Sequence, residues 1–207
     1  MGDSLYGATQ SYLDGDKEIT TEYSIPKSLK KVTVGGTTIP SGAFENCVGI
    51  ETLDILDSVT TIGQGALHKC SGLKSLTIPL VGSKSEYEKN FDGSPADGSE
   101  EAYLSHLGYI FYDPKEIYSS KEGTNWRDRL SGYIPTTLET LTITGGEIRY
   151  RSISVSSTLT ALKTINLATR DKARKISVAS QALRSLTELK KLSIKGKLEM
   201  MHSLPFY

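Results

Sequence analysis

One hexapeptide, with leucine-like residues at its first, fourth and sixth positions, returns six times along the 207 residues. It reads LKKVTV from Leu29, IETLDI from Ile50, LKSLTI from Leu73, LETLTI from Leu138, LKTINL from Leu162 and LKKLSI from Leu189. The starts lie 21, 23, 65, 24 and 27 residues apart. In an extended strand, positions four and six face one side and positions three and five the other. A lone strand of this kind cannot bury its apolar side. Successive copies must stack as coils, giving a parallel sheet over a shared core.

A second signal lies between the strands: GTTIPSGAFENCVG (36–49) in the first coil and DSVTTIGQGALHKCSG (57–72) in the second. Ile39, Ile62 and Val178 each stand eleven residues before the next strand's first position, and Phe44, Leu67 and Leu183 six before it. These apolar positions are expected to fill the coil's interior from the turn side.

The run IGQGALHKCSGLKSLTIP (62–79) resembles the BspA-like leucine-rich repeats of bacterial surface proteins. Four of the five gaps fall within or close to the roughly 20 to 29 residues of such repeats. The resemblance implies an α/β solenoid, a right-handed leucine-rich repeat. Its parallel β-sheet would lie on the concave face, with mostly loops and short helical turns on the convex side. The pattern thins toward the C-terminus, where RYRSISVSSTLTAL (149–162) keeps the spacing without the Phe and Cys.

The 65-residue gap holds PLVGSKSEYEKN (79–90), HLGYIF (106–111) and GYIPTTLETLTITGG (132–146), segments similar to those that punctuate BspA-like arrays. The chain's start, LYGATQ (5–10) followed by YSIPKSLKKVTVGG (23–36), looks like the same segment. Leu5 maps near Leu107, Pro26 on Pro135, Leu29 on Leu138 and Ile50 on Leu162. The expected organisation over 1–207 is one solenoid of two tandem units, about 5–100 and 101–207, with an irregular inter-run segment at about 80–134.

Gly2, Asp3, Ser4 and Leu5 spell the nucleophile block of the GDSL hydrolases. Such an esterase needs a buried strand before the serine and a histidine set by an aspartate near the C-terminus. Only Met1 precedes the block, and His202 has no Asp nearby, so the tetrapeptide is read as chance. His68, His106 and His202 share no metal-ligand spacing with Cys or carboxylates, and His68 is expected on the exposed turn. No phosphate-binding loop, dinucleotide glycine fingerprint or HExxH motif occurs. The acidic loops LDGDKE (13–18) and FDGSPADGSEE (91–101) lack the closing Glu of a calcium loop, since position twelve is Ile25 or Tyr103. No catalytic residue, metal or cofactor is expected. With 24 basic against 24 acidic residues, nothing in the overall balance points to nucleic acid. No apolar run reaches the roughly 20 residues of a membrane span. MGDSLYGATQ shows neither a basic nor an apolar leader, so the chain reads as a mature form or a fragment.

Cys47 and Cys70 fall at one position of adjacent coils, close enough for a disulfide. That position points inward in this repeat type, so two reduced, buried thiols are expected. On the sheet's exposed face the third-position column reads Lys31, Thr52, Ser75, Thr140, Thr164, Lys191, and the fifth reads Thr33, Asp54, Thr77, Thr142, Asn166, Ser193. Binding residues are expected at Lys31, Thr52, Asp54, Thr140, Thr142, Thr164 and Asn166. The face lacks the Trp, Tyr and Arg anchors of a strong protein-binding surface. Aromatics gather instead in the inter-run segment: Tyr103, Tyr109, Phe111, Tyr112, Tyr118, Trp126 and Tyr133. Half are expected to pack that segment down. A recognition patch is expected from Tyr109, Tyr112, Tyr118, Trp126 and Tyr133.

The leading function is a non-enzymatic interaction module of a bacterial cell-surface or secreted protein, a monomer binding a host extracellular-matrix protein or another surface protein. The surface and adhesion parts of that reading come from the resemblance. The alternatives are a structural spacer without a ligand and, further off, an enzyme built on the inter-run segment around Asp128 or Glu122.

Overall fold

The six hexapeptides form one continuous parallel sheet. Its strands are β3 (Lys31–Val34), β5 (Thr52–Ile55), β7 (Ser75–Ile78), β8 (Thr140–Ile143), β10 (Thr164–Ala168) and β12 (Lys191–Lys195), neighbours in that order. The computed structural model describes residues 5–84, 103–115, 126–149, 152–153, 161–179, 182–183 and 186–201. The register is the one the repeat dictates. Val32, Leu53, Leu76, Leu141, Ile165 and Leu192 pair in turn along one interior column. Positions four and six are buried in the four middle strands, and positions three and five are half-exposed. Each buried Leu or Ile stabilises the stack by about 1.5–3 kcal/mol. In the outermost strands the same positions open, Val32 and Val34 to half-buried and Ile194 to 47% exposed, because a coil covers them on one side alone.

Shorter strands follow on the next side of each coil. β4 (Thr38–Ile39) pairs with β6 (Thr61–Ile62). Further on, β9 (Gly146–Ile148), β11 (Lys175–Ala179) and β13 (Lys197–Met201) make a three-stranded parallel sheet. Ile39, Ile62 and Val178, the recurring turn-side positions, are buried in these strands. Phe44, Leu67 and Leu183 join the same core. The fold is a parallel β-solenoid with little helix.

The turn side closes by a backbone ladder. Gly42, Phe44 and Asn46 N–H donate to the carbonyls of Gln64, Ala66 and His68 at 3.2, 2.7 and 2.9 Å. The next rung comes from beyond residue 100: Gly65 and Leu67 N–H donate to Tyr109 and Ile110 O at 3.0 and 2.7 Å. One rung further, Leu107 N–H donates to Ser152 O at 2.8 Å. The 3₁₀ turn Leu107–Ile110 is therefore the turn of the third coil. The 65-residue gap is one coil of ordinary path, β7, then 79–84, then 103–112, then 134–138, with extra chain inserted into it. β7 and β8 still pair directly.

Before the first coil lies an antiparallel hairpin, β1 (Leu5–Asp14) with β2 (Lys17–Pro26), turning at Gly15. The segment aligned in sequence with 107–110 is thus a strand, not a 3₁₀ turn. The two aligned prolines do agree: Leu29 N–H donates to Pro26 O and Leu138 N–H to Pro135 O, both at 3.0 Å, just before β3 and β8.

Candidate functional site

The open face of the six-stranded sheet is where side chains of many coils stand together at one strand spacing, about 4.8 Å. Lys31, Thr52, Ser75, Thr140, Thr164 and Lys191 follow one another in register, as do Thr33, Asp54, Thr77, Thr142, Asn166 and Ser193. β-Branched threonines suit a pleated, half-solvated surface, so strand propensity and exposure agree at these positions. Asn166 Nδ2 donates to Thr142 Oγ1 at 3.1 Å. The face is a shallow, hydroxyl-rich platform.

Its two rims carry charge. On the side where the strands begin, Lys30 and Lys74 approach the Glu51 carboxylate at 3.4 and 2.8 Å. The Lys74 hydrogen bond, with its charge, holds the Glu51 carboxyl below the usual carboxylate range. On the opposite side, the loop 169–174 after β10 reaches back across two strands. Arg170 pairs with Asp54 of β5. Arg174 donates to Asp57 O at 2.7 Å and Pro79 O at 3.3 Å, and its guanidinium stands 3.8 Å from the Asp57 carboxylate. Thr144 Oγ1 donates to the same carboxylate. A Cβ on Gly145 would lie 2.5 Å from the Arg174 guanidinium, so the glycine is what admits it. This strap was not readable from sequence, because Arg170 and Asp54 lie 116 residues apart.

The aromatic segment turns inward. Tyr103, Phe111 and Tyr112 are at most 1% exposed and Tyr109 is 9% exposed. Tyr112 meets Tyr133 edge-on at 4.9 Å and Tyr103 at 5.9 Å, and the Arg129 guanidinium sits 5.8 Å from the Tyr112 ring centre. The coil meets helix α1 (Trp126–Gly132) where Arg129 lies over Tyr112 and Leu130 against Gly108. Tyr109 and Tyr112 thus offer a ligand no surface, which corrects their expected place in a recognition patch. Tyr133 is 36% exposed and alone of the three reaches solvent. Tyr118 and Glu122 lie outside the described residues, as do Ser4 and His202, and the side chains of Trp126 and Asp128 are not among those described.

His68 also departs from expectation. It is 2% exposed, with Nδ1 donating to Phe111 O at 3.0 Å and its ring 5.6 Å from Tyr133. The inserted third coil covers the turn that would otherwise face water. Cys47 and Cys70 are free and buried, and Cys70 Sγ donates to Phe44 O at 3.1 Å. Burial pushes the Cys47 thiol up to about 11 and raises Cys70 further, so neither is a nucleophile at neutral pH. Among the described residues no cluster of His, Cys, Asp and Glu could hold a metal ion, and no helix is long and apolar enough to cross a membrane.

A sheet of in-register coils, an apolar interior column and an open polar face define a leucine-rich-repeat type of solenoid. Residues 20–94 match the model of the BspA type leucine rich repeat region, in 6 copies. Over these residues, which hold the first three hexapeptides, the chain is similar to BspA-like leucine-rich repeats. The three beyond residue 94 continue the same sheet without the turn-side Phe and Cys. No curated protein and no solved structure matches the chain.

Proposed function

We propose that the protein is a non-enzymatic interaction module, part of a bacterial cell-surface or secreted protein, that holds a protein ligand on the open face of its six-stranded sheet. In this reading the solenoid is right-handed, the open face is its concave side and the protein is a monomer. Lys31, Thr52, Thr140, Thr142, Thr164 and Asn166 make the contacts, with Asp54 at the margin closed by Arg170. Tyr133, which reaches solvent, offers a smaller second contact. The observation that carries the reading is the unbroken register of exposed and half-exposed side chains from β3 to β12. Repeat solenoids use such extended surfaces for partners.

A pull-down of host extracellular-matrix proteins and mucins, identified by mass spectrometry, tests it. Thr52→Arg and Thr140→Arg place bulk on the open face without touching the interior. The expected result is a captured protein that both variants lose. Equal capture by the variants contradicts the reading. Capture of nothing by the natural chain favours a spacer, for which the lack of Trp, Tyr and Phe in the two columns of the face speaks.

A further inference from the structure

The neutral balance of the whole chain hides a steep division along it. Residues 150–207 hold 11 Lys and Arg against 3 Asp and Glu, whereas residues 1–149 hold 13 against 21. The basic part is the last two coils. Lys163, Lys172, Lys190, Lys191, Lys195 and Lys197 are all exposed there, and none enters an ion pair among the described residues. Of the three acids of this end, Asp171 Oδ1 accepts from Ala173 N–H at 2.9 Å, Glu199 holds Lys175 at 2.6 Å, and Glu188 is exposed.

The backbone fixes how these cations are arranged. Lys190 and Lys191 N–H both donate to Lys163 O at 2.9 Å, which gathers three lysines where β10 and β12 begin. Lys195 closes β12 opposite Ala168, and Lys197 opens β13 after the turn at Gly196. The two groups stand about 13 Å apart along the strand. Asn166 and Ser193 lie between them on the open face, with Thr164 beside Lys191.

We propose that this end of the face binds a linear anionic polysaccharide, one carrying sulfate or uronate groups along its length. The proposal rests on the reading of the open face as a binding surface and names the partner of one end of it. Ammonium groups are compact point charges that pair with sulfate or carboxylate without a planar fork. The hydroxyl and amide groups between them suit sugar hydroxyls. Residues 161–201 contain no aromatic residue, so there is no platform on which nucleotide bases would stack. Among the described residues of this end there is no amphipathic helix of the kind that beds into a lipid surface.

The test measures binding of the full chain to dextran sulfate, hyaluronate, neutral dextran and double-stranded DNA, each over a salt series. Dextran sulfate binds and neutral dextran does not. Each cation that neutralises a ligand charge releases counterions, so four such contacts weaken binding about a hundredfold between about 50 and about 200 mM salt. The variant Lys190→Gln/Lys191→Gln/Lys195→Gln, with circular dichroism and melting unchanged, loses at least about tenfold in affinity. A control removing equal charge elsewhere, Lys17→Gln/Lys27→Gln/Lys69→Gln, binds as the natural chain does. Absence of dextran sulfate binding at about 50 mM salt overturns the proposal. So does an equal loss in the control, or tighter binding of DNA than of either glycan. Thr52→Arg, far from this end, keeps glycan binding whether or not it loses a protein ligand, so the two readings fail separately.

Discussion

Gly65 shows how little room the turn side leaves. Its φ is +60°, and a Cβ there would lie 2.3 Å from Tyr112 O and 2.7 Å from the Pro114 ring. Both the left-handed conformation and the close approach of the third coil require glycine. Gly65→Ala should destabilise the protein by more than about 1 kcal/mol. Thermal melting followed by circular dichroism should show the fall, and an unchanged midpoint would mean that 103–114 does not pack on this turn. The two cysteines make a second prediction. With the Cys47 thiol up at about 11 and Cys70 higher, almost no thiolate exists at pH 8. Iodoacetamide should leave the native protein unmodified and alkylate two thiols after unfolding without reductant. No reaction after unfolding would reveal a disulfide. The inward direction of both cysteines was legible, because they share a repeat position. The burial of His68 was not, since what covers it, Phe111 and Tyr133, lies more than 40 residues away in an insertion that keeps no repeat spacing.

At the scale of elements, the strands were the legible part. Alternation of apolar and small polar residues over four or five positions suffices to predict both faces and the register, because a shift by one residue would turn Leu53 and Ile55 outward. The third coil was harder. Its turn is made by HLGYIF rather than by GAFENC or GALHKC, and only the hydrogen bonds of Tyr109 and Ile110 to the second coil reveal the equivalence. The strap was hidden altogether. In a solenoid each coil ordinarily touches only its neighbours, yet Arg170 and Arg174 tie the coil of β10 to residues of the coils of β5 and β7. Arg174→Ala removes two bonds to buried-side carbonyls and should cost about 1–3 kcal/mol. It should also speed amide exchange in β5, three strands away from β10. Exchange accelerated in β10 and β11 alone would show that the strap carries no coupling. The Arg170–Asp54 pair, with both side chains about a third exposed, should couple by about 0.2–1 kcal/mol in a double-mutant cycle.

For the whole molecule, one continuous sheet places the −8 and +8 segments of a neutral chain toward opposite ends of a long stack. Counting charge by segment rather than by total would have exposed that division in the sequence. For the stack to be continuous, the inserted third coil must keep β7 beside β8 in register. A pair of cysteines introduced as Thr77→Cys and Thr142→Cys measures this directly, since paired positions on neighbouring strands stand about 5 Å apart, within disulfide reach. Mild oxidation should cross-link that pair nearly completely. The offset pair Thr77→Cys and Thr140→Cys, about 8 Å apart, should stay reduced. Cross-linking of neither pair, or of the offset pair in preference, would contradict the stack.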